Sequence, residues 1–214
     1  MSLPNLTSSF AVRLTGVLLY ATPSHPGDQQ SQAGKEEVEV LYEITAAEDV
    51  GIRKAAEARQ QNKQIRQISS KRFDRSKTDL EIHLEGMRAE FAAAQLLGAE
   101  LNWELLVGGD KNRGDITLPD NRTASVKFRQ KKGWDFALQS SDPREFKEDI
   151  GILVYPHATH FRGLDICRWI SRGDFLRLAE VRNYGYGDRL VVSPNFMSPI
   201  EELIGQIRLA GSGI

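Results

Sequence analysis

Asp115 and Lys127 are the residues whose types and spacing offer chemistry. Asp115 opens one strand-like run, residues 115–118, and Lys127 lies near the end of the next, residues 123–128. Between them Pro119-Asp120-Asn121 has the composition of a turn, so the two runs read as a hairpin. Counted outward from Asn121, each lies six residues away, so the register can set them opposite one another. Adjacent strands are roughly 5 Å apart, close enough for the two side chains to meet. A carboxylate beside an ammonium is either a plain cross-strand ion pair, worth about 0.2–1 kcal/mol when exposed, or something more specific. In the second case the carboxylate holds a divalent cation while the lysine orients a water for attack on a phosphodiester.

The surrounding charge favours the second case. The chain has 214 residues and a net charge of only -1, but that charge is unevenly spread. Residues 53–77 carry nine basic side chains against Glu57 and Asp74, a local +7, and residues 111–132 carry seven against Asp115 and Asp120, a local +5. The rest of the chain therefore holds -13. Two basic blocks on an acidic chain could form the footprint of a polyanion site, or a solvated helix face plus a charged loop.

The elements that must position these residues can be read from periodicity and caps. Residues 1–44 read as a β-hairpin extension, with Phe10, Val12 and Leu14 alternating in one strand and Val38, Val40, Tyr42 and Ile44 in the other. The Pro-, Gly-, Gln- and Ser-rich residues 22–35 form the loop between them. The main domain is then residues 45–214. Thr45 with Glu48 is a capping box opening a helix to about residue 65, and Thr78 with Glu81 opens a second that ends at Gly98. Short strands follow at 101–107, 115–118, 123–128 and 134–138. Asp142-Pro143-Arg144-Glu145 starts a short helix, and strands at 150–155 and 161–170 come next. The tail holds a small helix at 174–178, the loop Tyr184-Gly185-Tyr186-Gly187, a strand at 190–192 and a closing amphipathic helix at 199–209. The order predicts an α/β or α+β fold with a central mixed β-sheet flanked by helices. The lone Cys167 suits a reducing, cytoplasmic setting, and no apolar run approaches a membrane span.

At these residues the chain resembles the PD-(D/E)XK nuclease superfamily, the restriction-endonuclease-like fold, and in particular its bacterial and phage-associated members. Their helix pattern Gly-x-x-Gly-Glu-x-Ala is met by GMRAEFAAAQLLG at 86–98, with Ala89 in place of the second glycine and Glu90 at the glutamate. The strand start is Gly114-Asp115-Ile116, the lysine strand Ala124-Ser125-Val126-Lys127, and the late aromatic-Ile-x-x-Gly segment Trp169-Ile170-Ser171-Arg172-Gly173. The resemblance spans about residues 55–192 and leaves the N-terminal hairpin unexplained. It implies a metal-dependent endonuclease acting on DNA, with Asp115 and Glu90 holding Mg²⁺ or Mn²⁺ and Lys127 positioning the attacking water. Arg59, Lys63, Arg66, Lys71, Arg72, Lys111, Arg113, Arg129, Lys131 and Lys132 would then contact the phosphate backbone.

The chain departs from the family at Ser125, which stands where the second acid belongs, two residues before the lysine. A neutral hydroxyl is a poor ligand for a hard cation. Three outcomes follow: Asp135, Asp142 or Glu145 supplies the acid, as when a glutamate on the following helix takes over; Glu90 and Asp115 suffice; or the chain is a catalytically inactive DNA-binding or phage-assembly protein. A homo-oligomer in which the N-terminal hairpin adds strands to a neighbour's sheet is a further alternative. His157 and His160 read as exposed loop residues for want of a third ligand, Gly108-Gly109-Asp110 as a turn, and Trp134, beside Lys131 and Lys132, as the tryptophan suited to base stacking.

Overall fold

The structure, a computed structural model, describes residues 38–65, 76–102, 114–185 and 187–211 and, before them, the backbone of two strands, β1 (Val12–Leu14) and β2 (Val17–Ala21). The two helices predicted from capping boxes both form. In α1 (Ala46–Ile65) the Thr45 hydroxyl accepts from the Glu48 N–H, and the Glu48 carboxylate accepts from the Thr45 N–H at 2.7 Å. In α2 (Asp79–Leu97) Thr78 and Glu81 make the same reciprocal pair, and Gly98, at φ 62°, ends the helix in the left-handed conformation that glycine tolerates best. An ion pair between Asp49 and Arg88, 2.6 Å apart, ties the two helices together.

The main sheet is mixed. It also takes in β3 (Val38–Glu43), β4 (Glu100–Leu101), β5 (Ile116–Thr117), β6 (Thr123–Phe128), β8 (Ile150–Pro156), β9 (Gly163–Ser171) and β12 (Ser198–Pro199). Their order is β1-β2-β3-β9-β8-β6-β5-β4, with β12 on β9. Every pair is antiparallel except β6 with β8, where Lys127 lies beside Leu153. A parallel pair needs a long crossover, and residues 129–149 provide it. They contain β7 (Phe136–Leu138) and a single 3₁₀ turn, Pro143–Glu145, where a short helix was expected.

The N-terminal strands are part of this sheet. β1 and β2 make a tight hairpin of their own, and β3 pairs with both β2 and β9. Val40, Leu41, Tyr42 and Ile44 are all buried. The boundary drawn at residue 44 thus follows a strand that the core requires. The predicted loop at 22–35 lies outside the described residues, as do Trp103 and Gly108-Gly109-Asp110.

Alternation along the strands gives the sheet two different faces. Ala124, Val126, Ile150, Ile152 and Val154 pack with α2, and with α4 (Ile200–Gly211) through Ile200 and Leu203. The opposite face, with Leu153, Tyr155 and Ile170, is covered by a second small sheet, β10 (Glu180–Asn183), β11 (Asp188–Val192) and β7, and by α3 (Arg172–Leu178). Its centre is a ring cluster: Phe136 meets Phe146 and Phe175 edge-on at 5.9 and 5.8 Å, and Phe146 tilts onto Phe175 at 4.5 Å. Gly151 makes room for it, because a Cβ there would come within 2.6 Å of the Phe136 ring. No helix among the described residues is long and apolar enough to cross a membrane.

Phe175 is fully buried in that ring cluster. Phe175→Ala is therefore expected to lower the free energy of unfolding in urea by about 3–5 kcal/mol.

Candidate active site

The turn decides how Asp115 and Lys127 meet. Leu118 and Arg122 close it through an N–H to carbonyl bond of 2.8 Å, and Asp120 accepts from the Arg122 N–H and guanidinium. That closure centres the hairpin on residue 120, with Ile116 opposite Ala124. Asp115 consequently lies across from Ser125, and not across from Lys127 as the count from Asn121 suggested. Gly114, at φ 66°, turns the incoming chain; a Cβ there would meet the Ala124 carbonyl at 2.9 Å.

β5 begins at Ile116, opposite Ala124, so among the described residues β6 has no strand partner on that side beyond Ala124. The Asp115 side chain takes over: its Oδ2 accepts from the Val126 N–H at 2.7 Å and from the Ser125 hydroxyl at 3.2 Å. Lys127 Nζ donates to Ser125 Oγ at 2.6 Å and stands 3.8 Å from Asp115 Oδ2. The Ser125 hydroxyl therefore relays between ammonium and carboxylate.

Glu90 approaches from the helical face. α2 packs on the side of Ala124 and Val126, while Ser125 and Lys127 alternate to the other side, so Asp115, in the gap at the strand edge, is reached from both. Glu90 is only 8% exposed and its Oε1 pairs with Arg59 at 3.4 Å. Burial, and then the neighbouring Asp115 carboxylate, push the Glu90 carboxyl up to about 7, against the pull of Arg59 and Lys127. Gly86, one turn earlier, has open space where a Cβ would lie, so no backbone packs against it.

Two of the three candidate substitute acids are engaged by other side chains. Asp135 accepts from Arg182 at 2.9 Å and from the Tyr184 hydroxyl at 2.8 Å. Asp142 caps the 3₁₀ turn and is gripped by the Arg144 guanidinium, which holds its carboxyl below the usual carboxylate range. Glu145 is exposed at the end of the same turn. A further acid near this point is Glu148, two residues before β8; its Cγ would lie 3.1 Å from a Cβ at Gly114, the residue next to Asp115. Only its place just before the strand parallel to β6 could have signalled it.

Among the basic residues, Arg59 is held by Glu90, and Lys131 and Lys132 are exposed. Arg129 turns inward: its guanidinium donates to the carbonyls of Asp135, Phe128 and Ala137 at 2.9, 3.3 and 3.1 Å. Burial, with Arg189 nearby, pushes it below its ordinary value. It is a structural tie between β6 and β7. Arg66, Lys71, Arg72, Lys111, Arg113 and the Lys63 side chain lie outside the described residues.

His157 gains an acidic neighbour that the sequence did not suggest. Its Nε2 stands 3.9 Å from the buried Asp165 carboxylate, while its Nδ1 accepts from the N–H groups of Thr159 and His160. Among the described residues no group of three His, Cys, Asp or Glu side chains is arranged to hold a metal ion. A cation at Asp115 and Glu90 would thus rely on two protein carboxylates, with water or substrate oxygens completing its shell, as suits Mg²⁺. A buried glutamate whose proton affinity is raised by the neighbouring Asp115 carboxylate marks a place suited to such a charge.

Compared with known proteins, the chain matches no family model and no curated sequence.

The raised Glu90 carboxyl has a measurable consequence. Because the folded chain holds this proton more tightly than the unfolded one, the stability it confers is full below pH 4.5 and is lost as pH climbs through about 7. Urea unfolding at about pH 4.5 and about pH 8 is expected to show a loss on the order of 3 kcal/mol from this group, at about 1.4 kcal/mol per pH unit. Glu90→Gln should remove that part of the pH dependence.

Proposed function

We propose that this chain is a metal-dependent nuclease that hydrolyses phosphodiester bonds in DNA, built on a restriction-endonuclease-like core of α2, β4, β5, β6 and the parallel β8. The observation that carries it is the array at the strand edge: Asp115 bonded to the Val126 N–H and Ser125, Lys127 beside both, and a proton-binding Glu90 sensing Asp115. Order and chemistry agree with the resemblance at Glu90, Asp115 and Lys127. The crossover departs from it, since the helix that can carry a replacement glutamate is here β7 and one 3₁₀ turn.

Asp115 and Glu90 would hold Mg²⁺ or Mn²⁺. The ion supplies Lewis-acid stabilisation at a non-bridging phosphate oxygen and a more acidic water. Lys127, fixed by Ser125, orients the attacking water and balances the charge that develops on the phosphate. Arg59 pairs with Glu90 and partly offsets its charge. Lys131 and Lys132 beyond β6 contribute to a backbone-tracking charge whose affinity falls with salt.

One observation favours a second reading, a catalytically inactive DNA-binding or assembly protein. The Ser125 hydroxyl already engages both Lys127 and Asp115, so the site is closed on itself without a second acid.

Supercoiled, linear and single-stranded DNA incubated with Mg²⁺ or Mn²⁺ separates the two. The nuclease reading expects cutting that is lost in Asp115→Asn and reduced about 100-fold or more in Lys127→Ala. Asp142→Ala and Glu145→Ala should cut as the wild type does, and Ser125→Glu should bind Mn²⁺ more tightly by calorimetry. Salt-sensitive DNA binding with no cutting under any metal would establish the second reading.

A further inference from the structure

The face of the sheet that carries Lys127 also carries two half-exposed aromatic rings, brought together from distant parts of the chain. Trp134 is 50% exposed and Tyr184 47%. The loop bearing Trp134 is held rigidly: Arg129 binds the Asp135 carbonyl, and the Tyr155 hydroxyl donates to the Trp134 carbonyl at 2.9 Å. Tyr155 shares the face of Leu153, the partner of Lys127, and lies two residues further along β8. That is about 7 Å along the strand and about 5 Å across from Lys127. Tyr184, at the tip of the β10–β11 hairpin, is brought to the same loop by its hydroxyl bond to Asp135.

The charge around the rings is positive. Lys131 Nζ stands 5.7 Å from the Trp134 ring centre. Lys132 is exposed beside it, and Arg182 pairs with Asp135, the nearest acid in the loop. Rigid aromatic faces interleaved with cations bind unpaired bases by stacking while the cations follow the phosphates. A duplex keeps its base faces within its own stack and cannot use them.

We propose that Trp134 and Tyr184 form a stacking platform for unpaired DNA bases, so that the strand led to the Asp115–Lys127 site is single-stranded. The second half of that statement rests on the nuclease reading of the site; the binding itself needs neither a metal nor Asp115.

The full-length chain is titrated without metal against a fluorescein-labelled oligothymidylate and against a duplex of the same length. The single strand is expected to bind more tightly and to quench tryptophan emission, and Trp134→Phe should lose the quenching while keeping the affinity. Trp134→Ala and Tyr184→Ala should each weaken the single strand about tenfold and leave the duplex unchanged. Tighter binding of the duplex, or Ala variants that hold the oligothymidylate as the wild type does, overturns the platform. Wild-type cutting of the duplex as fast as of the single strand would overturn the single-stranded route to the site and leave the nuclease intact. Platform-dependent binding without any cutting removes the nuclease and leaves the platform.

Discussion

β6 runs four residues past Ala124, its last pairing with β5, and the Val126 N–H that this exposes must find an acceptor. The Asp115 carboxylate supplies one at 2.7 Å. A buried or half-buried amide left without a partner costs about 1–3 kcal/mol, so the bond that completes the ladder also fixes a carboxylate in the mouth between two diverging strands. Much of the site follows from it. Ser125 and Lys127 converge on the same oxygen because they alternate to one side of β6, and Glu90 is raised partly because that charge cannot move away.

The two faces of the sheet then divide the work. Helices cover the Ala124 and Val126 side and bring Glu90, buried among alanines that let α2 lie close to the strands. The small sheet covers the other side, and its Phe136, Phe146 and Phe175 cluster anchors the crossover that a parallel β6–β8 pair requires. Arg129 belongs to this architecture. Its three carbonyl partners fold residues 129–137 back over β8, which places Trp134 near the end of the lysine strand.

The helices were legible because caps are local. Thr78, Glu81 and Gly98 state where α2 begins and ends, and the structure agrees. Glu90, Asp115 and Lys127 were picked out together only through the resemblance, because Glu90 lies in the middle of α2 and Lys127 within β6, where no cap or turn marks them. The hairpin register was not legible, because it turns on the Leu118–Arg122 closure, a choice that Pro119-Asp120-Asn121 leaves open by one residue. The inward turn of Arg129 was hidden as well, since a basic residue in a basic run looks exposed until the carbonyls it satisfies are known. Glu148 and Asp165 depend on parallel and antiparallel neighbours far along the chain, and no local pattern encodes those.

Ser125 holds the strand edge together without adding a charge of its own. An acid there would face Asp115 directly across the hairpin, and without a cation two carboxylates at that spacing repel. The serine removes the repulsion and adds a donor to Asp115, and its oxygen also accepts from Lys127. The strand edge is thereby stable without a metal, and the negative charge left to attract one is shared by Asp115 and Glu90. Glu90 holds its proton up to about pH 7, so a cation entering here competes with that proton as well as with Arg59 and Lys127. A site of this kind favours a cation that arrives with substrate phosphates already supplying part of its shell, over one bound in advance by the protein alone.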